Sequence, residues 1–207
     1  MATQLSLYND ALFHLGERKL AALTDSGEPR RVLDELYAGA RSYCLEQGNW
    51  KFAQRATKMV ADPSITPSWG PVNGFEKPTD YVRLSAQCYD EYFTNPVENI
   101  MEEAGFWYAD VDEFYLKYVS NHTSYGYDMS RWPESFALYV SLYLAWRAAP
   151  RIAADKTAEI DTEMAKAKLN ALSKDAVSGP MQRLPQGRWV TARGRINKER
   201  SRNNVNG

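Results

Sequence analysis

Residues 28–52, EPRRVLDELYAGARSYCLEQGNWKF, restrict the fold more than any other segment, because they predict a long amphipathic helix. Pro29 suits the first turn of a helix, where its missing N–H is not needed. The apolar residues that follow recur every three or four positions and form one stripe: Val32, Leu33, Leu36, Tyr37, Ala40, Tyr43 and Cys44. Gly48 is expected to end the helix in a left-handed conformation. The pattern predicts a helix over residues 29–47, roughly 28 Å long.

The chain leaving this helix carries Trp50 and Phe52 at alternate positions, which predicts an extended exit with both rings on one face. Further helices are expected at residues 4–16, 133–149 and 155–178. The helix at 133–149 has almost no polar face, so we expect it to be buried on most sides. Pro150 is expected to end or kink that helix.

Residues from about 50 to 130 differ from the rest of the chain, because prolines interrupt them and no helical period persists. Short β-rich runs predict strands at residues 57–61, 81–86, 89–93, 99–103, 106–109 and 114–119. Residues 104–105 and 110–112 are predicted turns. We therefore expect a small antiparallel sheet inserted between helices.

The predicted fold class is mainly α, a helical bundle with a small inserted antiparallel β-sheet and an extended C-terminal arm. Residues 1–178 would form the body, and residues 179–207 would form the basic arm. The arm has too few apolar residues to bury a core of its own.

The net charge of −1 hides an uneven distribution, since residues 181–207 carry +6 and residues 1–180 carry −7. An acidic body with a basic arm is typical of a chain that docks on an acidic surface. Arg188-Trp189 and Arg193-Gly194-Arg195 combine cations with an aromatic anchor, although a solubilising tail would also be basic. The residues predicted to dock on a partner are Arg183, Arg188, Trp189, Arg193, Arg195, Arg200 and Arg202.

Four short patterns resemble one known family. They are YNDALFHLGE at residues 8–17, the Gly-x-Trp-x-Phe exit at 48–52, Pro-Thr-Asp-Tyr-Val-Arg-Leu at 78–84, and Leu-x-Tyr at 116–118. Together they resemble the tail tubular protein A family, the head-to-tail adaptors of short-tailed bacteriophages. The resemblance covers about residues 5–173.

The resemblance implies a structural protein that forms a twelvefold ring between the portal protein and a downstream tail or nozzle protein. Genomic DNA would pass through the lumen of the ring without sequence recognition. The protein would be assembled in the host cytoplasm and located in the neck of the virion. An acidic body would keep DNA from adhering, because a basic lumen would bind phosphates.

No catalytic, metal or cofactor motif is found in the sequence, so we expect neither an enzyme nor a cofactor. His14 and His122 have no metal ligands at suitable spacing, and Asp110 and Asp112 are expected in a solvated turn. Cys44 is expected to be a buried apolar residue. The N-terminus does not resemble a signal peptide, and no segment is expected to span a membrane. The alternatives are a nucleic-acid-binding protein that uses the basic arm, and a small enzyme with an unrecognised site.

Overall fold

The computed structural model describes residues 1–179, so the predicted docking residues of the arm lie outside the described part of the chain. The chain divides into a compact unit, Met1–Ala176, and a second unit, Val177–Gly207. The helices are α1 (Gln4–Leu15), α2 (Glu28–Glu46), α3 (Glu134–Ile152) and α4 (Thr157–Val177). The strands are β1 (Gln54–Val60), β2 (Asn73–Glu76), β3 (Tyr81–Cys88), β4 (Met101–Glu103), β5 (Phe106–Ala109) and β6 (Glu113–Ser120).

The four predicted helices are confirmed, but the helix at the centre is α3 rather than α2. Eleven of the nineteen residues of α3 are buried, compared with five of the nineteen residues of α2. The prediction that α3 is buried on most sides is therefore confirmed. The helix does not end at Pro150 but continues to Ile152. Pro150 lies at the surface in the last turn, where few residues remain to be disturbed.

The expected role of Gly48 is wrong. Gln47 caps α2 in a right-handed conformation, and Gly48 is not among the glycines with positive φ. A Cβ at Gly48 would lie 2.6 Å from Cδ2 of Leu172 and 3.0 Å from the ring of Trp50. A Cβ at this position would therefore require the Leu172 side chain of α4 to shift and the Trp50 ring to move slightly.

The expected extended exit after α2 is also wrong, because residues Lys51–Ala53 form a short 3₁₀ turn. The rings of Trp50 and Phe52 nevertheless contact the same side chain, each with its centroid 4.8 Å from that of Phe136. Burial of both rings against α3 overrides the local period-two pattern.

The strands form two antiparallel three-stranded sheets, with the orders β1-β6-β3 and β2-β5-β4. Residues 89–93, predicted as a strand, form turns, because the carboxylate of Asp90 accepts hydrogen bonds from the backbone N–H groups of Tyr92, Thr94 and Asn95. Strand β2 was not predicted, because its Asn-Gly start has low β-propensity. The predicted turns at 104–105 and 110–112 are confirmed.

These sheets correct the predicted fold class. Helices make up 45% and strands 20% of the described residues, which is a mixture of α and β structure rather than a mainly α bundle. Six strands were predicted from the sequence and six are observed in the described chain, but their division into two sheets depends on pairings between distant segments that local patterns do not specify. The region builds two sheets instead of one small insert.

The buried residues form two clusters. The helical core comprises buried residues of all four helices together with Trp50, Ala53, Val119 and Trp132. The strand core comprises Phe75, Trp107, Ala109, Phe114, Leu116 and Tyr118. Strand β6 contributes to both cores, because Leu116 and Tyr118 face the strand core while Val119 faces the helical core. The strand predicted at 114–119 is confirmed.

Candidate partner-binding surface

The acidic excess of the described chain lies entirely in residues 61–113, which include β2 to β5. Residues 61–113 contain eleven acidic and two basic residues, a net charge of −9. The other residues of 1–179 contain sixteen basic and fourteen acidic residues, a net charge of +2. A charge of this size on one part of the surface favours a partner of opposite sign.

Sheet β2-β5-β4 has one face that belongs to the strand core. Phe75 and Trp107 are opposite each other in the register and are both buried on this face. The indole N–H of Trp107 donates to Oε2 of Glu102 at 3.2 Å, and Lys77 pairs with Oε1 of the same carboxylate. The apolar and polar side chains of this face therefore have their partners within the body.

The opposite face of the sheet carries aromatic, sulfur-containing and acidic side chains. The register places Phe106 between Glu76 and Glu103, and Tyr108 between Gly74 and Met101. Trp69 reaches this face from the preceding loop, where its indole N–H donates to Oε2 of Glu103 at 3.3 Å. We call this surface the outer face, and its residues are Trp69, Glu76, Met101, Glu103, Phe106 and Tyr108.

The outer face is open at its edges. Trp69 is 51% exposed and Met101 is 42% exposed, and all three residues of β4 are exposed. Within the described chain, β4 pairs only with β5, so its second edge is free of strand partners. Large exposed apolar side chains surrounded by charge are typical of interaction surfaces.

Local hydrogen bonds hold the loop that carries Trp69 against the sheet. The N–H of Asp62 donates to the carbonyl of Gly74 at 2.9 Å, and the N–H of Val72 donates to Oδ1 of Asp110 at 2.9 Å. A Cβ at Gly74 would lie 2.3 Å from Cγ2 of Ile65, so glycine permits the loop to lie directly on the strand. The loop is therefore positioned at both ends.

The turn between β4 and β5 sets the register of the outer face. Ala104 and Gly105 have φ angles of 49° and 89°, which match the two central residues of a type I′ hairpin turn. This turn places Glu103 directly opposite Phe106. The carboxylate and the ring are thereby brought together on the outer face.

A second exposed aromatic segment lies in the loop after β3. Tyr89 is 44% exposed and Tyr92 is 78% exposed. Hydrogen bonds from Asn95, Thr94 and Tyr92 counter the effect of desolvation and lower the pKa of Asp90. The loop is ordered around this carboxylate. Its tyrosines indicate no role other than contact with a partner.

The one largely buried carboxylate of the strand region is Asp80, which links two strands. Its carboxylate accepts hydrogen bonds from Arg55 at 2.9 Å, from the hydroxyl of Tyr118 at 2.9 Å, and from Ser120. Burial opposes ionisation, but the hydrogen bonds from Ser120, Arg55 and Tyr118 hold the pKa of Asp80 below its usual value. This arrangement is structural, since it joins β1 and β6 to the start of β3.

The remaining residues singled out in the sequence form no chemical site. His14 is partly buried, with Nδ1 3.3 Å from Oε2 of Glu163. Asp110 and Asp112 lie in the predicted turn. Cys44 is buried, as predicted, and Cys88 is also buried. Within residues 1–179 no group of three or more acidic, histidine or cysteine side chains is placed to hold a metal ion.

No family model matches the chain, and no curated protein matches it. Among residues 1–179, no helix is long and apolar enough to cross a bilayer.

The outer face was not predicted from the sequence, although one signal of it was present. The net charge of residues 61–113 can be counted in the sequence, but a single net charge for residues 1–180 does not show where the acidic residues are concentrated. The grouping of Trp69 with Phe106 and Tyr108 depends on a register and a loop position that no local pattern specifies.

Proposed function

We propose that this chain is a structural head-to-tail adaptor of a tailed bacteriophage. It forms a ring, twelvefold by resemblance, that joins the portal protein to a downstream tail or nozzle protein and lets genomic DNA pass. The protein is assembled in the host cytoplasm and resides in the neck of the virion. The short patterns shared with the tail tubular protein A family support this proposal.

The observation that carries the proposal is the separation of charge along one chain. Residues 61–113 have a net charge of −9 and contain the exposed aromatic outer face, while residues 181–207 have a net charge of +6. A closed ring of identical subunits needs two different surfaces that fit each other. An acidic body is also compatible with DNA passage, because it does not bind phosphates.

The test is negative-stain imaging of the purified protein, alone and with the portal protein of the same virus. We expect rings only on the portal, because the described chain has no long apolar seam that would close a ring unaided. Analytical ultracentrifugation at low micromolar concentration should show a monomer or a weak oligomer. Absence of rings in the presence of portal would contradict the adaptor role, and stable rings without portal would contradict its portal dependence.

The arm provides a sharper test against the alternative of nucleic-acid binding, which its arginines favour. In co-sedimentation with portal, removal of residues 179–207 should abolish assembly, and Trp189→Ala should weaken it more than Arg200→Ala. A desolvated tryptophan contributes about 2 kcal/mol or more, whereas an exposed ion pair contributes about 0–1 kcal/mol. Normal assembly of the truncated protein would exclude a role for the arm.

Co-sedimentation with duplex DNA is the matched control for the same variants. A DNA-binding arm would depend mainly on its arginines, and its affinity would fall steeply with added salt. Adaptor assembly should weaken only in part with salt, since the tryptophan contact is apolar.

A further inference from the structure

The outer face and the basic arm complement each other, and we infer that residues 180–207 of a neighbouring copy of this chain bind the outer face. The inference rests on the proposed ring, in which each subunit presents one surface to the copy before it and another to the copy after it. The acidic outer face and the basic arm are two such surfaces on a single chain.

The outer face has the chemistry that binds arginine. A guanidinium group stacks on an aromatic ring while its N–H groups donate to a carboxylate. Phe106 lies between Glu76 and Glu103, so a guanidinium over this ring has a carboxylate on either side. Trp69 and Tyr108 extend the aromatic surface beside this position.

The arm has the matching chemistry. Its seven basic residues are opposed by Glu199 alone, and two of its arginines, Arg193 and Arg195, are separated by a single glycine. Trp189 can pack on Met101, whose flexible thioether is 42% exposed and adapts to aromatic partners. The free edge of β4 offers backbone groups to an extended peptide.

The length of the arm permits contact with another subunit. Fully extended, the 28 residues of 180–207 span up to roughly 90 Å, which is well beyond the width of a domain of this size. The arm of one chain can therefore bind the body of another chain instead of its own body.

The first experiment uses a fluorescent peptide of residues 180–207 and a full-length acceptor whose own arm is weakened by Trp189→Ala, Arg193→Glu and Arg195→Glu. Fluorescence anisotropy should show binding to this acceptor. Adding Glu103→Lys to the acceptor should weaken binding about tenfold or more, since a carboxylate that pairs with arginine becomes a repelling cation. Adding Trp69→Ala should also weaken it.

The matched control is Glu35→Lys, the same change of charge at an exposed position on α2. It should leave the affinity within about twofold, because it alters only a screened charge. Equal affinity for all acceptors, or an equal loss with Glu35→Lys and Glu103→Lys, would overturn the assignment to the outer face.

The second experiment tests whether the arm binds a neighbouring copy. The acceptor described above has an intact outer face, and its counterpart carries Trp69→Ala and Glu103→Lys with an intact arm. Sedimentation velocity should show a one-to-one complex only when the two are mixed. Peptide binding without such a complex would mean that the arm, when attached to its own body, does not reach the outer face of another copy, which would overturn the inference.

Neither experiment contains portal, so their results are independent of the adaptor role. An arm–face complex without portal-bound rings would refute the adaptor proposal alone. Portal-bound rings without an arm–face complex would refute this inference alone.

Discussion

The helical region and the strand region of the body are stabilised by different means. The helical core contains 27 buried residues arranged around α3, whereas the strand core contains six. The strand region adds polar contacts that the small core needs, among them the hydrogen bonds to Asp80 and the pair formed by Lys77 and Glu102. Surface ion pairs occur in both regions, for example between Arg30 and Asp34 and between Arg151 and Glu28 in the helical one, but among the described residues the strand region alone contains a buried carboxylate, that of Asp80.

The largest expected effect comes from the helical core. Leu144 is fully buried on α3, and Leu144→Ala should lower the free energy of unfolding by about 2–5 kcal/mol through lost burial and a residual cavity. Urea denaturation followed by circular dichroism measures this change. The control is Leu169→Ala on α4, where the side chain is 68% exposed and the effect should stay within about 0.5 kcal/mol. Equal effects of the two substitutions would show that α3 is not central.

The second prediction concerns the polar contacts of the strand region. Asp80→Asn should reduce the free energy of unfolding by about 1.5–3 kcal/mol at pH 7, because a charged acceptor of three hydrogen bonds becomes neutral. Asp10→Asn, at an exposed position of α1, serves as the control and should have little effect. If Asp80→Asn left the free energy of unfolding unchanged, the strand region would not depend on its buried carboxylate, and the contrast with the helical region would be wrong.

The effect of Asp80→Asn should also depend on pH. The folded pKa of Asp80 lies below the unfolded value of about 3.9, so ionised Asp80 stabilises the native state above that value. This contribution is lost as the pH falls through the folded pKa. The difference between wild type and Asp80→Asn should therefore be constant above about pH 5 and shrink towards pH 3, as measured by urea denaturation at each pH. A difference that grows on acidification would contradict the sign.

The smallest expected effects come from two glycines at different positions of the helical region. Gly48→Ala should destabilise the protein by about 1–3 kcal/mol, since its Cβ would meet Leu172 and Trp50. Gly39→Ala should stabilise it by about 0.5–1 kcal/mol, because Gly39 lies within α2 with open space at its Cβ position. Thermal melts of both variants measure the difference, and shifts of the same sign would contradict the close approach of α4 to Gly48.

The difference between the two regions also explains how far the sequence could predict the fold. The helices were predictable because a stripe such as Val32, Leu33 and Leu36 repeats over many residues and fixes both type and face. The end of α2 was predicted to within one residue, but the role of Gly48 was not predictable, since that role depends on Leu172, which lies far away in the sequence. Strand β2 was missed because its residues pair with β5 only after a long loop has placed them.

The outer face, too, was predictable from the sequence only in part. The basic residues of the arm and the acidic residues of 61–113 can be counted in the sequence, so the charge of each partner is predictable. The alignment of Glu76, Phe106 and Glu103 arises from strand register, which the sequence constrains only weakly where one face is exposed.

The positions of the tryptophans have a practical consequence for spectroscopy. Trp50 and Trp132 lie in the helical core, Trp107 lies in the strand core, and Trp69 lies on the outer face. Trp189 belongs to the arm. A series of variants that each retain one indole, with phenylalanine at the others, would report separately on each part of the chain through its emission maximum. Quenching of Trp69 emission by acrylamide would then follow occupation of the outer face in real time, without an added label.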